Sequence, residues 1–357
     1  MTLARGYDLV ILDLDGVVYL GTHAIAGAPA AIRAVVADGI PVAYATNNAS
    51  RRAADVADLL SRLDVPAEPD DVVTSAQAAA ELLAEDLPTG APVLPVGAVA
   101  LRAELASVGL TLVDSADRRP VAVVQGYGSE VGWAELAEAC LAIRAGARWV
   151  ATNTDATMPS PRGPVPGNGS LVAALVTALG GRTPDTVVGK PEPVLFTTAA
   201  RHRRAQHALV VGDRLDTDIE GATRAGMDSL LVLTGVTTPA DLLVAPSHRR
   251  PTHVSADCAA LSKPDEASRM PVWHDDAATA GSWQVVRDDD HLVLSHVGVG
   301  DSGHVSALRA LACAAWIHPE WTGIRPADPT AERTVAALGL DRFAGWSVQA
   351  ADVKASG

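Results

Sequence analysis

The chain has 357 residues, 48 % of them hydrophobic, and a formal net charge of -14. Such a length exceeds one ordinary core and calls for about two or three domains, and the apolar share excludes a disordered chain. The acidic balance argues against nucleic acid as a partner, and the densest basic cluster, Arg201-His202-Arg203-Arg204, reads as a solvated helix face. An anionic substrate would therefore need local positive charge, which a metal ion supplies. Cys140, Cys258 and Cys313 lie too far apart for a disulfide framework or a zinc site and read as buried small hydrophobes. The first apolar run, Leu9 to Leu14, is too short for a signal peptide. No apolar stretch reaches the ~18 residues of a spanning helix, so a cytoplasmic protein with no membrane span is expected.

In chain order, Tyr7 to Leu12 reads as a buried strand and Ala28 to Asp38 as a helix closed by Gly39. Ile40 to Ala45 reads as a second strand. Ser50 is expected to cap a helix whose Val56, Leu59, Leu60 and Leu63 share one face. Asp71 to Thr74 is a third strand and Gln77 to Glu85 a helix. A Pro/Gly-rich stretch, Leu87 to Pro92, breaks the rhythm. Apolar runs Val93 to Val96, Val121 to Gln125 and Trp149 to Thr152 then alternate with Ala-rich helices, until Thr183-Pro184 closes the block. Thr186 to Val188 and Ala208 to Val211 resume the first rhythm, and Leu230 to Thr234 reads as the last core strand.

Polar Ser262 to Arg269, containing Pro264, reads as a linker. Beyond it, Trp283 to Val286 and Leu292 to Ser295 form a hairpin around Asp288-Asp289-Asp290, and Val305 to Trp316 forms a helix. The fold class expected is α/β: a parallel-sheet core in two pieces (1–87 and 185–262), an inserted α/β domain (88–184) and a small C-terminal α+β domain (270–357).

In open α/β sheets ligands gather at the carboxyl ends of the strands, and four polar motifs fall there. Asp13-Leu14-Asp15-Gly16 follows the first strand. One carboxylate can attack phosphorus, and the other can serve the leaving group and the water as acid and base. Thr46-Asn47-Asn48 can hold phosphoryl oxygens, although helix capping is the better explanation in isolation. Lys190, in Gly189-Lys190-Pro191, can set a point charge on a phosphate. In Gly212-Asp213-Arg214-Leu215-Asp216-Thr217-Asp218, Asp213 can ligate Mg²⁺ and Asp218 can hold a metal-bound water or orient Lys190, while Arg214 and Asp216 read as a structural pair. The first three motifs are each weak alone, whereas the fourth favours function even in isolation. The ordered company of all four, each after a predicted strand, is strong.

With these motifs in place the chain resembles the haloacid dehalogenase (HAD) superfamily of phosphatases, over residues 7 to 260. Thr46-Asn47-Asn48-Ala49-Ser50-Arg51, Val211 to Ile219, Ala151-Thr152-Asn153-Thr154-Asp155 and Pro166-Gly167-Asn168-Gly169-Ser170 resemble its p-nitrophenylphosphatase/NagD-type subfamily. The layout, with Ala142 to Ala147, is similar to actinobacterial glycerol-3-phosphate phosphatases bearing a GCN5-acetyltransferase-like C-terminal domain. The resemblance implies a HAD-type Rossmann-like core with an α/β cap, Mg²⁺ as cofactor and a small phosphorylated metabolite as substrate, glycerol 3-phosphate first. Phosphoglycolate, sugar phosphates and nucleotides are the alternatives, and pairing of copies through the cap is a further expectation. It implies Asp13 as nucleophile and Asp15 as acid/base, Thr46, Asn47 and Lys190 on the phosphoryl group, Asp13, Asp15 (by its carbonyl) and Asp213 on the metal, and Asp218 behind them.

Asp155 and Met158 in the cap are candidates for reading the substrate. Met158 stands where similar pyridoxal-phosphate phosphatases carry a His, which argues against that aromatic substrate and allows a small polyol phosphate; a core role for Met158 fits equally well. In the tail, Gly298-Val299-Gly300-Asp301-Ser302-Gly303 matches a G-x-G-x-x-G pattern, but no second parallel strand is visible beside it, and Asp301 would repel a phosphate. A CoA- or ligand-binding regulatory tail is the competing reading of that region. His291, His296 and His304 read as ordinary surface or core histidines.

Overall fold

The computed structural model describes residues 1–158, 160, 162–298 and 303–341. They form two compact units: Met1–Pro41 with the described residues from His207 onward, and Val42–Gln206.

In the first unit, strands His253–Ser255, Asp228–Val232, Ala208–Gly212 and Leu9–Leu12 lie side by side in that order, all parallel. Leu9–Leu12 and Ala208–Gly212 are buried throughout, as strands covered on both faces must be, and their aliphatic runs suit this. Leu12 pairs with Val211 and Gly212 with Leu231, so the residues after the two central strands emerge at one edge. Helix Ala28–Ala37 buries Ala31, Ile32 and Val35 and leaves its other side to water.

Two expectations need correction here. The strand expected at Leu230 to Thr234 is Asp228–Val232, and it is not the last, because His253–Ser255 pairs beyond it. Three residues with a histidine carry no apolar run, so pairing alone makes that strand. Nor is Ser262 to Arg269 a linker. Val254 N–H donates to Ser268 O at 2.8 Å, Met270 N–H to Thr252 O at 3.0 Å and Leu3 N–H to Lys263 O at 2.7 Å. Its polar side chains are used internally, as in the Asp265–Arg269 pair, where Arg269 donates at 2.5 and 3.1 Å.

The C-terminal sheet runs antiparallel through Trp273–His274, Ala277–Ala280, Trp283–Asp288 and His291–His296. The expected hairpin is present, with Asp289 at φ 52° in its turn. Gly323–Pro326 then pairs parallel to His291–His296 across helix His304–Ile317. A second parallel strand therefore exists; its Gly and Pro hid it from the pattern. Residues 299–302 of the Gly-rich string lie outside the described residues. The sheet is separate, but its apolar core is not: Trp283, Leu308, Leu311 and Trp321 share one cluster with Leu215, Ile219, Leu242 and Val254. Buried Arg309 adds polar ties, donating to Arg269 O at 2.8 Å and Glu266 O at 3.2 Å.

In the second unit Val42–Thr46 and Val72–Thr74 pair in parallel, wholly buried. A five-stranded parallel sheet has the order Thr186–Val187, Arg148–Ala151, Ala122–Gln125, Pro92–Val96, Thr111–Leu112. Buried Trp149 anchors it, its Nε1–H donating to Gln125 Oε1 at 3.0 Å. Helix Ser75–Asp86 starts with a reciprocal cap: Gln77 N–H donates to Thr74 Oγ1 and Thr74 N–H to Gln77 Oε1, both at 3.1 Å. Ser50 caps nothing. Its N–H and hydroxyl go to Asn48 Oδ1 at 2.8 and 2.7 Å, and the helix begins later, at Ala53, where Asp55 accepts the Arg52 N–H. Among the described residues no helix is long and apolar enough to cross a membrane, and all three cysteines are free.

The added strand His253–Ser255 carries a titratable group into the first unit's interior. His253 is fully buried, with Tyr7 OH 3.2 Å from its Nε2 and Ser268 Oγ 3.4 Å from its Nδ1. Burial, opposed in part by the charge of Asp265, lowers its pKa from 6.5 to about 4. The unfolded chain therefore binds this proton first, and stability must fall as pH drops through the interval between those values. The expected slope reaches about 1.4 kcal/mol per pH unit. Urea denaturation between pH 7 and pH 4 checks it: His253→Gln should flatten the dependence in that window, and an unchanged slope contradicts the assignment.

Candidate active site

The Asp13 peptide continues the first strand by one residue, its N–H donating to Val211 O at 2.9 Å. Asp213 follows Ala208–Gly212, and Asp218 lies in the wide turn Leu215–Ile219. These elements bring one carboxylate oxygen each of Asp13, Asp213 and Asp218 within 4.8 Å of one another. Asp13 is 9 %, Asp213 1 % and Asp218 0 % exposed. Three carboxylates so close and so dry repel one another strongly, and hard oxygen donors of this kind suit a small divalent cation. The donor set fits such an ion.

Asp15 differs from its neighbour. It is exposed, within the turn in which Val18 and Tyr19 N–H donate to Leu14 O at 2.9 and 3.1 Å. Gly16 closes this turn at φ +84°, and a Cβ there would meet Asp213 Oδ2 at 2.5 Å. The two acidic motifs are thus packed backbone to carboxylate. Asp218 Oδ2 accepts the Arg214 N–H at 3.1 Å. Arg214 and Asp216 pair side by side at 3.0 and 2.9 Å, as expected of a structural pair. Burial opposes ionisation of Asp216, but the Arg214 hydrogen bond and charge outweigh it and hold that carboxyl below its usual range.

Sequence reasoning missed the loop after Asp228–Val232. Val236 N–H donates to Asp213 Oδ2 at 2.7 Å, Thr237 N–H to Asp213 O at 3.1 Å, and Thr234 Oγ1 to Gly16 O at 2.6 Å. Thr234 to Thr237 therefore clasp both acidic motifs. A Cβ on Gly235 would sit 1.9 Å from Asp213 Oδ2. The available signal was Thr-Gly directly after a buried strand, which marks a close backbone approach.

The second unit gathers the other predicted residues around Asn47. Its Oδ1 accepts the Lys190 N–H at 2.8 Å, and its Nδ2 donates to Lys190 O at 3.2 Å and Asp155 Oδ2 at 3.1 Å. Its own carbonyl accepts from Ser75 Oγ at 2.6 Å and Asn153 Nδ2 at 2.7 Å. The amide of Asn47 is thus a structural hub for Lys190 and Asp155. Asn153, also missed, is in turn held by buried Asn168, whose Nδ2 donates to Asn153 O at 2.7 Å. Thr46 is buried and accepts the Asn48 N–H at 3.1 Å. Lys190 is 4 % exposed, with its ammonium 5.9 Å from the Phe196 ring centre. Met158 is half-buried on a two-stranded ribbon, Thr157–Met158 with Val165–Pro166.

Family models for haloacid dehalogenase-like hydrolases match residues 10–111 and 187–261, and a GCN5-related N-acetyltransferase-like model matches residues 280–340. The chain is 46 % identical to the D-glycerol 3-phosphate phosphatase of Mycobacterium tuberculosis, over 88 % of this chain and 87 % of that protein. It is 38 % identical to the acid sugar phosphatase of Staphylococcus haemolyticus over 67 % of this chain and 89 % of that one. The crystal structure of the M. tuberculosis glycerol phosphate phosphatase in complex with magnesium superposes with a TM-score of 0.87 at 43 % identity, covering 95 % of this chain and 99 % of that one. A p-nitrophenyl phosphatase from Archaeoglobus fulgidus gives a TM-score of 0.66 at 28 % identity, covering 72 % of this chain and 98 % of that one.

The clasp yields a direct test. Gly235→Ala must displace either the loop or the Asp213 carboxylate. Divalent-cation binding, followed by calorimetry without substrate, should weaken by about tenfold or more. Wild-type affinity in the folded variant contradicts the clasp.

Proposed function

The chain belongs to the haloacid dehalogenase-like hydrolases and is a phosphatase, and on that premise we propose that it hydrolyses glycerol 3-phosphate to glycerol and phosphate, using Mg²⁺. The observation that carries the Mg²⁺-dependent chemistry is the buried cluster of Asp13, Asp213 and Asp218, and the choice of substrate is supported by the likeness to the M. tuberculosis D-glycerol 3-phosphate phosphatase. At that cluster Asp13, Asp213 and the carbonyl of Asp15 would hold Mg²⁺, and Asp218 would support them through the Arg214 backbone. Bound there, Mg²⁺ neutralises carboxylate and phosphate charge so that two anions can approach.

The Asp13 carboxylate attacks phosphorus, and the bond from phosphorus to the glycerol oxygen breaks. Asp15 gives that oxygen its proton. Asp15 then takes a proton from water as the water attacks phosphorus, which releases phosphate and restores Asp13. The contrast between dry Asp13 and exposed Asp15 supports this division, because only Asp15 must exchange protons with solvent. Thr46 and Lys190 bind the phosphoryl group. Asn47 serves it by fixing the Lys190 backbone on both sides.

Residues 88–184 act as the cap in this reading, with Asp155 and Met158 facing the substrate's non-phosphate end. The Asn47–Asp155 bond supports a link between phosphate binding and substrate reading. The exposed Trp133 and Leu141, two turns apart on helix Trp133–Arg144, support pairing of copies through that part. The free cysteines support a cytoplasmic location. Sugar phosphates are the second reading, favoured by the likeness to the staphylococcal acid sugar phosphatase.

Phosphate release over a panel of glycerol 3-phosphate, phosphoglycolate, sugar phosphates and nucleotides checks the substrate. Glycerol 3-phosphate should exceed the others in kcat/KM by about tenfold, EDTA should abolish all release, and a higher value for a sugar phosphate selects the second reading. Asp13→Asn should lower kcat by at least about 10³-fold; wild-type release by this variant removes Asp13 from the chemistry. Met158→His should alter the ratios across the panel by about threefold or more, whereas identical ratios would mean that Met158 only packs.

A further inference from the structure

The loop that clasps Asp213 leads straight into a helix too short to hold its own place. Thr238 caps Pro239–Leu243: its N–H and hydroxyl donate to Asp241 Oδ2 at 2.9 and 2.6 Å, and Asp241 N–H returns to Thr238 Oγ1 at 3.3 Å. A helix of five residues owes its position to tertiary contacts rather than to its own hydrogen bonds. The C-terminal domain supplies part of those contacts, beside Leu215, Ile219 and Leu231 of the core. Leu242 and Leu243 lie in the same apolar cluster as Leu308 and Leu311 of helix His304–Ile317. Trp316 Nε1–H, on that helix, donates to Leu242 O at 2.9 Å. The Arg250 guanidinium lies 5.1 Å from the Trp316 ring centre, and its Nε–H donates to Ala245 O at 3.0 Å. Trp316 and Arg250 thus grip both ends of the segment that leaves the short helix.

At its other end the same segment delivers the two N–H groups that fix Asp213, one on the carboxylate and one on the backbone. From Trp316 to Asp213 the links are therefore a side-chain hydrogen bond, one short capped helix and the clasp. Mg²⁺ demands near-ideal oxygen geometry and is sensitive to small displacements of a ligand. A sub-ångström shift of the short helix would reach the Asp213 carboxylate through Val236.

We propose that Trp316 of the C-terminal domain is a positioning residue for the metal ligand Asp213, so that the acetyltransferase-like domain works as part of the phosphatase's cation site. The inference rests on the reading of Asp213 as a Mg²⁺ ligand. It makes the domain a buttress whose contribution is read in metal affinity, not in a ligand of its own.

The test uses the full-length chain and Mg²⁺ alone, titrated by calorimetry in the absence of substrate, with kcat, KM and Tm measured beside it. Trp316→Phe keeps the ring that Arg250 stacks on and removes the donor to Leu242 O. It should weaken Mg²⁺ binding by about threefold to thirtyfold and raise the Mg²⁺ needed for half-maximal activity by the same factor. At saturating Mg²⁺, kcat should recover and KM for the phosphoester should match wild type. A lowered Tm with unchanged Mg²⁺ affinity would show a purely structural role and overturn the proposal. Arg250→Gln, which removes the stacking partner, offers a second arm should Trp316→Phe not fold; it must shift the affinity in the same direction, and wild-type affinity in it also overturns the proposal. Asp213→Asn separates the two levels: wild-type Mg²⁺ affinity in that variant overturns the metal assignment itself, whereas weakened binding there with unchanged binding in Trp316→Phe and Arg250→Gln overturns only the link to the tail.

Discussion

The structure of the first unit turns on an electrostatic problem: Asp13, Asp213 and Asp218 hold carboxylate oxygens within 4.8 Å of one another with almost no water access. Unbalanced, such an arrangement would be driven apart or protonated. Parallel pairing of Leu9–Leu12 with Ala208–Gly212 forces Asp13 and Asp213 to emerge side by side, because the register leaves them no other place. The surrounding backbone is shaped to the carboxylates, with Gly16 and Gly235 both lying where a Cβ would strike Asp213. Core strands, a left-handed turn and a clasping loop all serve to keep the acidic groups together. Such an arrangement suits a chain that binds a divalent cation.

The second unit solves a different problem, placing a buried lysine accurately. Asn47 does so with every polar atom of its side chain, accepting from the Lys190 N–H and donating to Lys190 O and Asp155. Asn153 and Asn168 extend the network to the strand that carries Gln125. A residue expected to touch phosphate therefore acts first as a brace. Two buried atoms of that extension, Asn168 Oδ1 and Gln125 Nε2, have no hydrogen-bond partner among the described residues, so the bracing of Lys190 rests on the two bonds that the Asn47 amide makes to its backbone.

The legible part of the fold was the part governed by apolar periodicity and by motifs that follow strands. Leu9–Leu12, Val42–Thr46 and Ala208–Gly212 stand out because both faces are covered and the residues are aliphatic. His253–Ser255, Thr111–Leu112 and Gly323–Pro326 did not, being two to four residues long and defined by neighbours rather than by their own composition. The segment Ser262 to Arg269 looked loose because it is polar, yet its polarity is what ties it down. In the site, side chains that carry charge were legible, whereas the backbone donors of Val236 and Thr237 were not, since any residue but Pro can supply an N–H. The role of Asn47 as a brace was hidden for the same reason: sequence shows a polar residue at a strand end, not which way its amide turns.

The central claim is that Asp13 carries the phosphoryl group during turnover. The most direct measurement is acid quenching of the enzyme during turnover of glycerol 3-phosphate with Mg²⁺, followed by peptide mass spectrometry to locate any phosphoryl adduct. The account predicts an acid-stable, base-labile acyl phosphate on the peptide bearing Asp13, at that residue. A phosphoryl group on any other residue, or phosphate release at full rate with no adduct on Asp13, would contradict it.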